Sequence, residues 1–332
     1  MRAMTLERCG PIATAPLVGQ DRPDPTPGPG EVVIEVAACA VCRTDLQLVE
    51  GDLAPVSLPI VPGHQVIGRV RSAGDGVTSV RVGDRVGVAW LAGSCGRCRF
   101  CTSDRENLCD ASRFTGWHRD GGFAELMVAD HRFVHPAPEA ADARALAPLL
   151  CGGAIGLRSL RVAGVRPGDR IGLYGFGSSA SLVIQIARHW GCEVVVATRS
   201  PAEQARARGL GATWTGAYDD EPPFPLDRAI TFAPSGDVVL AALRAVDRGG
   251  VVAVNAIRLD RIPSFSYEDL WWERTLRSVA NVTRADVHDL LELATAVPLV
   301  TAARRYPLAA ANTALSDLRN GTIGATAVLT PD

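Results

Sequence analysis

The run Arg170-Ile-Gly-Leu-Tyr-Gly-Phe-Gly-Ser-Ser-Ala180 decides the fold. Arg170 to Tyr174 has strand character and leads into a turn at Gly175 to Gly177. From Ser178 to Trp190 apolar residues recur at helical spacing: Leu182, Val183, Ile186, Ala187 and Trp190. A strand, a G-x-G-x-x-A turn and a helix in that order make a dinucleotide fingerprint. Gly175 and Gly177 permit the tight turn and close backbone approach, and the helix start at Ser178 faces a pyrophosphate. Outward from this core, Glu193 to Ala197 predicts a second strand. Ser200 can cap the next helix, with Pro201 at its first position. Further strands are expected at Arg228 to Phe232, Val251 to Asn255 and Leu276 to Ala280. The alternation predicts a doubly wound parallel sheet, covered on both faces, over residues 151–295.

The flanking segments read differently. Residues 1–150 carry short valine-rich strands punctuated by Gly and Pro, among them Glu31 to Val36, Val66 to Val70 and Arg81 to Val88. From residue 296 a short helix and a final strand, Ala325 to Leu329, are expected to return to this β-rich first domain. The overall class is α/β.

The 332 residues include 34 Lys+Arg, and every one is arginine. Without lysine there is no side-chain Schiff base, no P-loop and no kinase phosphate lysine. The net charge of -2, with no basic run, points away from nucleic acid and anionic membranes. Met1 to Leu17 holds no apolar segment of signal length, and no apolar run is long enough for a span; the expectation is a cytoplasmic protein without a membrane partner.

Nine cysteines without a secretion signal favour metal binding over a disulfide framework. Cys95, Cys98, Cys101 and Cys109 form C-x2-C-x2-C-x7-C. Four thiolates at this spacing can close a tetrahedron around a structural zinc. An iron–sulfur cluster accepts the same ligands but needs a redox partner, and buried free thiols are the third reading. Three other segments each present one ligand: Cys39-Ala-Val-Cys42, Pro62-Gly63-His64 and Leu150-Cys151-Gly-Gly153. Singly, each is compatible with a buried thiol, a redox C-x-x-C or a hydrogen-bonded imidazole. Together, two Cys and one His with a fourth open position make a catalytic zinc set.

Several motifs in order resemble the zinc-dependent medium-chain alcohol dehydrogenases, most closely the yeast-type and bacterial branch. They are Cys42-Arg-Thr-Asp45, Gly63-His64, Trp90-Leu-Ala-Gly-Ser-Cys95, the ladder to Cys109, Leu150-Cys151-Gly-Gly153 and Gly175-Phe-Gly177. The resemblance covers nearly the whole chain. It implies a GroES-like catalytic domain over residues 1–150 and 296–332 beside the Rossmann-type domain. It implies that Cys42, His64 and Cys151 hold a catalytic zinc and that the ladder holds a second. Thr44 would hydrogen-bond the substrate oxygen and start a proton relay. Asp45 would orient His64, Trp90 would line the substrate pocket, and Arg43 would touch the cofactor pyrophosphate. Relatives are homodimers or homotetramers acting on small alcohols and aldehydes.

The strand expected to end at Ala197 continues Thr198-Arg199-Ser200, where an NAD enzyme carries an acid for the ribose hydroxyls. A hydroxyl, a guanidinium and a second hydroxyl read as a 2′-phosphate cradle, so NADP(H) is expected over NAD(H). The alternative makes Arg199 a solvated helix-start residue. Gln65 replaces the usual Glu beside the zinc-binding His, which predicts a stronger Lewis acid. Gln47 replaces a His that ends the relay in many relatives. Two competing functions remain: a reductase of shifted chemistry (C=C or iminium), and a non-catalytic zinc and nucleotide-binding protein. The full ligand set and Thr44 and Asp45 weigh against both.

Overall fold

The expected nucleotide sheet forms with six parallel strands. Its spatial order is Trp214–Gly216, Glu193–Ala197, Arg170–Tyr174, Leu226–Thr231, Val246–Val254 and Thr275–Ser278. The chain starts at the centre, runs to one edge, then crosses to the other side of Arg170–Tyr174. The order therefore reverses between Arg170–Tyr174 and Leu226–Thr231, which is where such sheets open a ligand crevice. Helices Ser178–His189, Pro201–Gly209 and Gly236–Ala245 connect the strands. Ile171, Leu173, Val194, Val196 and Ile230 are fully buried, as strands covered on both faces require. Val246–Val254 begins earlier than the sequence indicates, because a register shift lets Val246 pair with Leu226.

The computed structural model describes residues 1–256, 259 and 261–331. It divides into Met1–Ala154 with Asn281–Asp332, and Ile155–Ala280. The second boundary thus lies at Asn281, not near 295. Helix Arg284–Ala296 packs with the first unit: Leu290 lies against Gly153, and Arg284 Nε reaches the buried Glu106 carboxylate at 3.0 Å. That helix carries Val287, Leu290 and Leu291 at helical spacing, a pattern that marks a buried face without naming its partner.

The first unit is built on strand Glu31–Ala40. It pairs with Val66–Ala73 and Leu126–Asp130, and its end pairs with the C-terminal strand Thr326–Thr330 through Ala40 and Cys39. The tail therefore returns to this sheet, fastening the chain immediately before Cys42. Val32, Ile34, Val66, Val86 and Phe123 are among its buried residues. Among the described residues no single helix is long and apolar enough to cross a membrane.

Candidate active site

Cys42 follows Glu31–Ala40 and is the N-cap of helix Arg43–Glu50. Its sulfur accepts from Thr44 N at 3.2 Å, while its own N–H donates to Asp45 Oδ2 at 2.8 Å. This reciprocal cap places the sulfur in line with the first-turn N–H groups, whose partial positive charge favours a thiolate. Asp45 is 2% exposed, and its other oxygen accepts from Gly63 N at 3.2 Å and meets His64 Nδ1 at 3.0 Å. One buried carboxylate therefore ties the Cys42 helix to the His64 loop. It holds a proton on Nδ1 and turns Nε2 toward Cys42 Sγ, 3.4 Å away.

Gly63 has φ +98°, and a Cβ there would come within 2.4 Å of Phe123 Cδ1. Only glycine lets this loop turn close enough to place His64. Cys151 sits between the short helix Ala147–Leu150 and the helix Gly152–Ala163. The ligand atoms of Cys42, His64 and Cys151 all lie within 4.8 Å of one another. Ligands about 2.0–2.3 Å from a tetrahedral zinc stand roughly 3.6 Å apart, so this donor set fits that ion with one position left open.

The charges match the donor set. The Cys151 hydrogen bond, opposed by burial and joined by His64, holds the Cys42 thiol well below its ordinary range. The same hydrogen bond, with burial, pushes Cys151 well up. Burial disfavours the His64 cation, but the charges of Asp45 and Cys42 outweigh it and raise the imidazole. A divalent cation replaces the protons that two thiols and an imidazole otherwise share.

Trp90 stands edge-on to His64, with ring centroids 4.9 Å apart. It stacks on Phe114 at 5.0 Å and on Trp117 at 5.9 Å. Phe114 and Trp117 went unnoticed in the sequence; their i, i+3 spacing just beyond the ladder was the available signal. Gln65 is 2% exposed and donates to the Ala40 carbonyl at 3.3 Å. Arg43 is exposed, and Thr44 and Gln47 are half-buried.

The ladder folds into a second cluster. Cys95, Cys98, Cys101 and Cys109 present sulfurs within 4.8 Å of one another. Cys98 and Cys101 are 3.6 Å apart and Cys95 and Cys101 3.9 Å, close to the edge of about 3.8 Å in a zinc–sulfur tetrahedron. Backbone N–H groups of Arg97 and Cys98 bring the Cys95 thiol down to about 6. All nine cysteines are free of disulfides.

In the nucleotide unit, Gly175 has φ +91°, and a Cβ there would come within 2.9 Å of Ala233 N. Gly177 precedes Ser178–His189, and among the described residues no side chain caps that helix and a Cβ on Gly177 would meet nothing within 4 Å. That opening before unsatisfied helix N–H groups suits a phosphate. The hydroxyls expected to flank Arg199 are engaged elsewhere. Thr198 is 1% exposed and donates to Glu203 Oε2 at 2.5 Å, and Ser200 Oγ accepts from Glu203 N at 3.3 Å. Arg199 alone is exposed, its guanidinium 5.8 Å from the centre of the Tyr218 ring.

This fold and site define an oxidoreductase class, and two family models match the same chain. Residues 28–139 match the family model for the alcohol dehydrogenase GroES-like domain, and residues 180–296 match that for the zinc-binding dehydrogenase. The chain belongs to the zinc-dependent medium-chain alcohol dehydrogenase family, a class of NAD(P)-dependent enzymes. It is 44% identical to a probable alcohol dehydrogenase AdhA of Mycobacterium tuberculosis (strain CDC 1551 / Oshkosh) over 99% of this chain and 97% of that protein. It is 34% identical to an alcohol dehydrogenase of Moraxella sp. (strain TAE123) over 90% of this chain and 91% of that protein. A thermostable alcohol dehydrogenase from Pyrobaculum aerophilum superposes with a TM-score of 0.88 at 26% identity, over 100% of this chain and 99% of that one.

Proposed function

We propose that the protein is an NADP(H)-preferring, zinc-dependent alcohol dehydrogenase that acts mainly as an aldehyde reductase. The observation that carries this reading is the convergence of Cys42, His64 and Cys151 within 4.8 Å, with Asp45 on the far nitrogen of His64. Zinc held there supplies Lewis-acid polarisation of a carbonyl, and a nicotinamide supplies the hydride. The ladder Cys95, Cys98, Cys101 and Cys109 holds a second, structural zinc with no open position.

The chain's own residues set the rest. Asp45 keeps His64 in one tautomer and fixes its distance from Cys42. Thr44 hydrogen-bonds the substrate oxygen and delivers to it the proton that carbonyl reduction requires; Gln47 cannot titrate, so water feeds the relay from solvent. Trp90, backed by Phe114 and Trp117, forms an apolar wall. Gly175, Gly177 and Ser178 receive the pyrophosphate, with Arg43 as a further contact. Arg199 gives the 2′-phosphate its cation, with Thr198 and Ser200 shaping the strand end behind it. NADPH is normally kept reduced in cells, which favours aldehyde reduction.

A homodimer or homotetramer fits the nucleotide unit. Thr275–Ser278 is an edge strand, and Tyr267, Trp271 and Trp272 beside it are at least half exposed. The decisive test is metal analysis together with NADPH oxidation over a panel of aldehydes. Two zincs per chain and aldehyde-dependent oxidation are expected. A single zinc retained only by the ladder, or no turnover with the panel, overturns the reading.

A further inference from the structure

The residue after Glu193–Ala197 is where a nucleotide-binding sheet of this order reads the adenosine ribose. Position 198 is threonine, so the chain carries no acid at that point. The fold brings one there. Glu203, in the first turn of helix Pro201–Gly209, turns its carboxylate toward the strand end and accepts the Thr198 hydroxyl. The helix-capping alternative for a Glu at this position is a bond to the backbone N–H of Ser200. That N–H instead meets Thr198 Oγ1 at 3.5 Å. The Glu203 carboxylate is therefore committed to the strand end, not to the cap.

Two arginines flank Glu203 in the sequence. Arg199 lies over Tyr218. Arg206 donates to the Phe176 carbonyl, inside the glycine turn, with its guanidinium 5.4 Å from the centre of the Phe176 ring. The Glu203 carboxylate thus meets the strand end at Thr198, Arg199 follows Thr198 in the chain, and Arg206 stands one helical turn beyond Glu203.

We propose that Glu203 is a specificity-determining residue of the cofactor site. Its carboxylate accepts the ribose 2′-hydroxyl of the unphosphorylated dinucleotide and repels a 2′-phosphate, so it limits the preference for NADP(H). The inference rests on the reading that a nicotinamide dinucleotide lies on the Gly175–Gly177 turn. A carboxylate–hydroxyl bond is charge-assisted, whereas a carboxylate beside a phosphate is a like-charge pair.

Glu203→Gln keeps the shape and an acceptor for Thr198 but deletes the charge. Dissociation constants of NADPH and NADH are measured by fluorescence quenching on the zinc-loaded, full-length protein, with kcat/KM for each in aldehyde reduction. Circular dichroism melts confirm folding. In Glu203→Gln the NADPH constant falls, the NADH constant rises, and their ratio moves by about tenfold. Glu203→Asp keeps the charge and stays nearer the parent ratio. An unchanged ratio, equal weakening of both cofactors, or a larger shift in Glu203→Asp overturns the inference. A parent that prefers NADH, with the ratio still shifting in Glu203→Gln, overturns the NADP(H) preference proposed above and upholds the role of Glu203.

Discussion

The two cysteine clusters use the same sulfur chemistry in opposite settings. Cys42, His64 and Cys151 are drawn from three separate segments, and the carboxylate that orients His64 is 2% exposed. The ladder sulfurs come from one loop, where Cys95 is exposed and hydrogen-bonded mainly by local N–H groups. The first cluster depends on the whole β-rich unit for its geometry; the second supplies its own. Three protein ligands leave a position for chemistry, whereas four close the metal off.

The sharpest way to break the comparison is Cys42→Ala. It is expected to lower kcat/KM by at least about a thousandfold while circular dichroism shows the fold retained. Metal analysis should then find only the ladder zinc. Cys98→Ser attacks the other cluster. Its expected signature is a stability loss of roughly 2–4 kcal/mol in urea unfolding, with the zinc beside His64 kept.

The ladder's anchorage gives a pH test. Glu106, within the ladder loop, is 2% exposed and accepts Arg284 N at 2.9 Å. His135 nearby is buried and brought down to about 4 by desolvation, then by His288 and Arg284. In the unfolded chain its pKa is about 6.5, so between that value and about 4 the unfolded state binds more protons. The contribution is complete above pH 6.5, declines as pH falls, and reaches a loss of about 3 kcal/mol below pH 4. Urea midpoints of the parent between pH 7 and 4.5 should therefore fall more steeply than those of His135→Asn. Parallel slopes would contradict the burial of a neutral imidazole there.

Smaller effects sharpen the buried side. Asp45→Asn leaves His64 in place but loosens its tautomer, and a tenfold to hundredfold loss in zinc affinity is expected by competition with a chelator. Gln65→Glu replaces a donor to the Ala40 carbonyl with a buried carboxylate that cannot donate when ionised. The expected cost is about 1–3 kcal/mol in thermal or urea unfolding.

Legibility in the sequence followed the locality of each interaction. The ladder is one loop, so spacing alone marked the four sulfurs that cluster. The turn at Gly175 needs positive φ beside Ala233, and glycine is the residue that supplies it. The alternation around it placed the strands of the parallel sheet. Helix Arg284–Ala296 shows the limit: its amphipathic pattern was visible, but whether Leu290 meets the nucleotide sheet or Gly153 is a tertiary matter. The same holds for Phe114 and Trp117 behind Trp90.

By itself the sequence determined the chemistry available to this protein: thiolates and an imidazole in a known order, a phosphate-ready turn, and arginine as the sole strong side-chain cation. Only the tertiary structure decided how those groups are spent. It joined Cys42, His64 and Cys151 through one buried Asp45, withdrew the Thr198 hydroxyl from solvent, and brought Glu203 to a strand end where the chain has no acid. The reason is physical. Spacing along the chain determines local turns, caps and ligand loops, whereas the partner of a buried polar group is set by which distant segment the folded core brings within hydrogen-bond reach.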